Sequence, residues 1–317
     1  MALELHVGAP TSANIRGQVE FVQQAEATGF AGVGIADHLE HGHDAYITLA
    51  QAAAATSKIQ LYPSVTNPVT RHAFTLAALA NSLNELAPGR FKLGIGTGDS
   101  SVANIGVKPA TVARFREVLG EIRALLQGES VTFGTNSDSH IQDPTSPPPP
   151  IMVTASGPRA LQVAGEFGDE AMLLGGLTEA VRAQAWSHVA TGAAKQGRDA
   201  GAINLTQVTS VSMDDDAVAA RARVWPAVFS WISMGFFNDA LAVLGIDVSG
   251  LSKPDDASPD LVERLCGEFA VAGTPSQVVD RFHALGGDGV ERAYILAFGG
   301  GDSRERIMEL LAKEVIG

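Results

Sequence analysis

The chain has 317 residues, 45% of them hydrophobic, and a formal net charge of −13. That is apolar material for one large α/β barrel, and an acidic balance without a basic run argues against nucleic acid as a partner. No stretch approaches the ~18 uninterrupted apolar residues of a membrane span, and no basic, cleavable leader precedes the first apolar run. The expectation is a soluble, cytoplasmic protein that acts on a small molecule.

Residues 3–8 read as a first strand, followed by a helix over 18–28 with Val19, Val22 and Ala25 inward and Gly29 at its end. A second strand, 32–36, stops at Asp37-His38, and 45–56 is an alanine-rich helix. The third strand, 59–65, is bounded by Thr66-Asn67-Pro68, which strand interiors do not tolerate. Apolar residues Leu76, Leu79, Ala80, Leu83 and Leu86 predict a helix over 75–86, stopped by Pro88-Gly89, before a fourth strand at 91–96. Two parallel strands joined by a helix open their C-terminal ends on one face, where α/β proteins bind ligands. A further amphipathic helix, 111–126, carries Val112, Phe115, Leu119, Ile122 and Leu126 on one side.

The strand–helix period then breaks. Residues 132–150 are polar and end in the run Pro147 to Pro150, which predicts an insertion covering part of the barrel mouth. Strands at 151–154, 171–174 and 203–211 and helices at 159–167 and 178–196 resume the pattern. A second, largely helical insertion occupies 214–290, with a helix at 217–232, an apolar patch at 229–237 and a polar loop near 252–258. Thr274-Pro275-Ser276-Gln277 within it carries three agreeing helix-start signals. An eighth strand at 292–298 leads to Gly299-Gly300-Gly301 and a last helix, 304–315. Eight strands alternating with helices, without G-x-G-x-x-G after the first, predict a closed (β/α)8 TIM barrel with two insertions in one domain, 1–317. An open doubly wound sheet is the alternative.

Candidate chemistry gathers at predicted strand ends. Asp37 and His38 combine a carboxylate with a side chain that titrates near neutrality, although a solvated rim pair would look the same. His41 and His43 follow, but H-x-x-H-x-H in a loop has no established ligand geometry, so no resident metal is expected. Gly94, Gly96 and Gly98 remove side chains where a flat ligand would approach the backbone. Asp99, next to them, could accept a ligand hydrogen bond, act as an acid or base, or cap the next turn. Ser156-Gly157-Pro158 opens a helix with Arg159 in its first turn, and Gly175-Gly176 follows the sixth strand, so this side could bind phosphate. A Gly-started helix with Pro at its first position is the plainer account. G-x-S-x-G is absent, which leaves a hydrolase poorly supported. The single cysteine, Cys266 in LVERLCGEF, excludes an intrachain disulfide or cysteine-based zinc site and reads as a buried hydrophobe.

These motifs together resemble the luciferase-like flavin superfamily: ADH at 36–38, VTNPVTRH at 65–72, LNELAPGRFKLGIGTGDS at 83–100, ASGPRALQVAGEFGDEAMLLGG at 155–176 and AGTPSQV at 272–278. Within it the chain looks most like the branch using the 5-deazaflavin coenzyme F420, particularly methylenetetrahydromethanopterin reductase-like enzymes. The resemblance implies a (β/α)8 barrel with the cofactor ring at the C-terminal strand ends and F420 as cofactor, with FMN the alternative. It implies Asp37 and His38 near the ring, Ser64, Val65, Thr66 and Asn67 as a bulge behind it with a cis Ser64–Val65 peptide, and Ala155, Ser156, Gly157, Gly175 and Gly176 at the phosphate-bearing tail. His38, Asp37 and Asp99 are then the catalytic candidates, and Gly96, Gly98 and Arg159 join the cofactor contacts. The family usually has RHP after TNP; Arg71-His72-Ala73 stands here. A sugar-phosphate dehydrogenase relative would carry Glu where Asp99 stands. The expected reaction is hydride transfer between F420 and a small imine, enone, ketone or nitroaromatic; an FMN-dependent monooxygenase fed by a separate reductase is the alternative, and a non-catalytic binder a third. A homodimer is expected by resemblance. Phe133, Trp225, Phe229, Trp231 and Phe236 in the insertions could line the substrate pocket, though helical spacing favours core or contact.

Overall fold

The computed structural model describes residues 3–299 and 303–317; Gly300 and Gly301 of the expected glycine run lie outside them. Eight parallel strands make the barrel: β1 (Glu4–Gly8), β2 (Gly32–Ile35), β3 (Gln60–Pro63), β4 (Leu93–Ile95), β5 (Ile151–Ala155), β6 (Glu170–Leu173), β7 (Asn204–Met213) and β8 (Arg292–Phe298). Hydrogen bonding runs β3-β2-β1-β8-β7-β6-β5-β4. Parallel bridges Leu61↔Phe91 and Thr66↔Ile95 join the two ends of that series, so the ring closes and the open sheet is excluded.

Around it stand α1 (Ile15–Ala27), α2 (Ala45–Ala55), α3 (Ala73–Leu86), the single turn α4 (Ser100–Ala103), α5 (Val112–Leu126), α6 (Pro158–Phe167), α7 (Glu179–Lys195), α8 (Ala217–Ser233), α9 (Asn238–Leu244), α10 (Pro259–Phe269), α11 (Pro275–Gly287) and α12 (Ser303–Leu311). The expected start of α11 is a full capping box between Thr274 and Gln277. No single helix among the described residues is long and apolar enough to cross a membrane; α8 and α9 are jointly apolar but meet at a 102° bend.

The strand register places residues of one parity on one face. His6 lies level with Gly32, Gly34 with Tyr62, Gly94 with Met152, Met172 with Thr206 and Val208 with Tyr294. All are even-numbered and face the interior. Tyr62, Met152, Met172, Val208 and Tyr294 fill it as one buried cluster. The same face carries a polar layer. Lys92 Nζ lies 2.5 Å from Glu170 Oε2, Thr206 Oγ1 donates to Glu170 Oε1, and His6 Nδ1 lies 3.0 Å from Tyr62 OH.

Burial, helped by the Lys92 charge, brings the His6 pKa from 6.5 down to about 3. The unfolded chain therefore takes up a proton below pH 6.5 that the folded chain refuses, and stability falls as pH drops toward 3. The slope is about 1.4 kcal/mol per pH unit. Urea unfolding at pH 7 and 5 should show a loss of about 2 kcal/mol from this group. His6→Gln should remove most of it; an unchanged difference would move the acid sensitivity elsewhere.

Two expectations about the insertions need correction. Residues 132–150 do not cover the barrel mouth. They connect the end of α5 to the start of β5, a helix-to-strand connection, which in a barrel lies at the opposite, N-terminal face. A hairpin (Val131–Phe133 with Asn136–Ser139) runs along the outside. Asn81 and Asn84 of α3 hold Asp143, Thr145 and Pro147 of the strap that follows. The second insertion contains a strand the periodicity missed, Ala270–Gly273, which pairs with Ser210 to Met213 and lengthens the sheet beside β7. Around it α8, α9 and α10 build a second core with Trp225, Phe229 and Phe237. Cys266 is buried there, as expected of a buried hydrophobe, its thiol pushed up to about 12 by burial.

Candidate active site

Above the interior cluster a cavity of about 230 Å³ opens at the C-terminal strand ends. Its floor uses the same even parity: Ser64 after β3, Gly96 after β4, Thr154 in β5 and Leu174 after β6. His38 and the segment Thr97 to Ser101 form the sides, Ser156 and Ala160 of the α6 entry another edge, and Phe236 reaches in from the second insertion.

The Ser64–Val65 peptide is cis, as expected, and Val65 also lines the cavity. Ser64 Oγ lies 2.6 Å from the hydroxyl of Tyr294, whose pKa burial pushes up to about 12, so the phenol stays protonated. Gly34 is required beside this pair, since a Cβ there would fall 2.6 Å from Ser64 Cβ. Thr154 Oγ1 is buried in the cavity floor with no protein partner among the described atoms, a polar group left for a ligand. Gly98 holds φ +83° at the wall, a conformation that favours glycine.

His38 follows β2 and keeps a quarter of its side chain exposed; its Nδ1 lies 3.3 Å from Glu40 Oε1. Asp99 caps α4 by position only, without a capping side-chain bond. Burial raises its pKa above the ordinary carboxylate value, with the Ser100 amide and the His38 ring opposing in part. A carboxyl so placed can hold a proton nearer neutrality than a free one.

Asp37 is placed differently. It is buried, its Oδ2 accepting from Thr66 Oγ1 at 2.8 Å and from Arg71, whose other amino group lies 2.9 Å from Asp44. It stands behind the cavity wall and ties the end of β2 to the turn after β3. Thr66 is buried with it and continues the β4 pairing, and Asn67 turns its side chain onto the amides of Val69 and Thr70. Neither lines the cavity. Gly157, Arg159, Gly175 and Gly176 also lie outside its lining. Gly157 is nonetheless the N-cap of α6 and supplies no side-chain cap, and Pro158 is the first helical residue, so the helix start keeps donors free beside Ser156 and Ala160.

Residues 2–292 match the family model described as luciferase-like monooxygenase. The chain belongs to that family. Among curated relatives, a 5,10-methylenetetrahydromethanopterin reductase of Methanolobus tindarius is 30% identical over 94% of both chains. An F420-dependent glucose-6-phosphate dehydrogenase of Beutenbergia cavernae is 33% identical over 81% of this chain and 80% of its own. The fold matches the coenzyme F420-dependent tetrahydromethanopterin reductase structure from Methanopyrus kandleri with a TM-score of 0.80 at 24% identity, covering 100% of this chain and 99% of that one.

Within this luciferase-like barrel, sequence reasoning found His38, Ser64, Val65, Gly96, Gly98, Asp99, Ala155 and Ser156 of the cavity lining. It missed Thr97, Ser100, Ser101, Thr154, Ala160 and Leu174 and left Phe236 undecided. Parity along β5 and β6 was the available signal for Thr154 and Leu174. Trp225 and Phe229 belong to the second core, and Phe133 packs outside the barrel against His72, ring centroids 4.6 Å apart.

Proposed function

We propose that this chain is a coenzyme F420-dependent oxidoreductase that moves a hydride between the deazaflavin and a small organic substrate, an imine, enone, ketone or nitroaromatic. Residues 1–317 act as one barrel unit, a cytoplasmic homodimer. The observation that carries the reading is the cavity itself. A glycine-walled cleft sits on a buried floor with the unpartnered Thr154 hydroxyl, and one edge meets the free N-terminus of α6. A curated relative named for F420 chemistry, the glucose-6-phosphate dehydrogenase of Beutenbergia cavernae, covers 81% of the chain.

When bound, reduced F420 supplies a hydride, a chemistry that asks the protein for positioning and exclusion of water. Ser64, held by Tyr294, and Thr154 would contact the ring, and the α6 amides with Arg159 would hold the phosphate of the tail. Gly175 and Gly176 keep the neighbouring strand end free of side chains. Phe236 keeps water from the cavity. His38 holds or delivers the proton that accompanies hydride transfer, and Asp99 shares that side of the cavity. Asp37 serves by fixing the loop that carries His38.

Fluorescence titration of the pure protein with F420 and with FMN tests this. Tight F420 binding is expected; tight binding of FMN alone would favour a monooxygenase, and binding of neither a non-catalytic barrel. The tail site has its own test. A Cβ on Gly157 meets nothing within 4 Å and the backbone there is extended, so Gly157→Val should fold normally. It should weaken F420 binding at least about tenfold by blocking the helix amides. Arg159→Ala should weaken it less, and mainly at low salt, because the side chain is exposed and screened. Normal F420 binding by Gly157→Val would place the phosphate elsewhere.

A further inference from the structure

Beside the cavity, the short turn Leu39–His41 brings three metal-ligating side chains together. His38, Glu40 and His41 each offer one ligand atom, and these lie within 4.8 Å of one another. The sequence offered only the H-x-x-H-x-H run, without a ligand geometry; in the structure Glu40, and not His43, joins His38 and His41. We propose that His38, Glu40 and His41 bind a divalent transition-metal ion of the zinc, cobalt or nickel class at the cavity rim, and that the bound ion inhibits the enzyme by engaging His38.

The distances suit such an ion. Zinc–nitrogen and zinc–oxygen bonds of about 2.0–2.2 Å in a tetrahedron put ligand atoms about 3.3–3.6 Å apart. Glu40 Oε1 lies 3.3 Å from His38 Nδ1 and 3.9 Å from His41 Nε2, so a small turn of the His41 ring completes the set. The two imidazoles are stacked, 5.7 Å between centroids and 26° between planes, and both border the same carboxylate. Asn104 Nδ2 donates to Glu40 Oε2, which orients the carboxylate and leaves Oε1 for the ion. Among the described residues Glu40 has no Lys or Arg partner, its ion pairs being with the two histidines. Two imidazoles and one carboxylate favour these metals over magnesium or calcium. The three side chains are 25%, 39% and 34% exposed, so water completes the coordination and the ion exchanges freely.

The effect on the cavity follows from His38, which belongs to both sites. Metal at Nδ1 fixes the ring on Glu40 and stops it from carrying a proton. Binding stands independently of the redox reading; inhibition rests on it.

The test therefore begins without cofactor. Cobalt(II) is titrated into the pure protein, following its visible ligand-field absorption, with zinc as competitor. One ion per chain is expected, and His41→Ala and Glu40→Gln should each weaken it at least tenfold with unchanged thermal unfolding. A cobalt band that is absent, or that persists unchanged in His41→Ala, overturns the site, whether or not the protein binds F420. In F420 turnover, zinc should inhibit the native protein, chelator should restore it, and His41→Ala should keep its basal rate and lose the sensitivity. Zinc bound through His41 that leaves turnover untouched overturns the inhibitory role.

Discussion

His38→Ala should lower F420-dependent turnover by about 100-fold or more, the scale of a positioned acid or base. The side chain lines the cavity, is a quarter exposed and stands near Asp99, so its loss removes a proton-carrying group without opening the core. Circular dichroism and thermal unfolding should be unchanged. Single-turnover rates measured across pH would separate the chemical step from F420 binding. An unchanged rate would reduce His38 to a rim residue and leave Asp99 as the remaining candidate on that side.

The second large effect is on stability. Lys92→Met removes the cation that pairs with Glu170, whose side chain is 3% exposed against 11% for Lys92. The Glu170 pKa is lowered: burial opposes the charge, but Lys92 and Thr206 outweigh it. Stripping Lys92 away leaves a buried carboxylate without its counter-ion, at a cost of about 3–5 kcal/mol. Chemical denaturation at pH 7 reads this directly. Adding Glu170→Leu to Lys92→Met should recover most of the loss, because the penalty belongs to the stranded charge and not to the missing pair. A single variant as stable as the native chain would mean that water or a shifted proton already compensates Glu170.

Strands and helices were legible because their periods are local: the face of α5 appears in Phe115, Leu119 and Ile122, and the capping box of α11 in four consecutive residues. Gly96 and Gly98 marked the cavity wall for the same reason, since a missing side chain is visible at its own position, whereas Gly94 lies below the lining, against Pro63 and Met152. The ends of β2 and β4 could likewise be read as site-bearing, because in a barrel every strand delivers its C-terminal end to one face. The chain by itself thus determined the barrel, its family and about half of the cavity lining.

Only the closed ring decided the rest. Asp37 reads as a free carboxylate until Arg71, 34 residues away, is folded against it. Ser64 gains its hold from Tyr294, 230 residues distant, across the barrel interior. Phe236 sits in an apolar run with Phe237, and nothing local separates the one that enters the cavity from the one that is fully buried in the second core. The union of His38, Glu40 and His41 depends on a single turn whose side-chain directions the spacing of histidines does not reveal. Local periodicity tells which face of an element is apolar; what that face meets is set by packing between elements far apart in the chain.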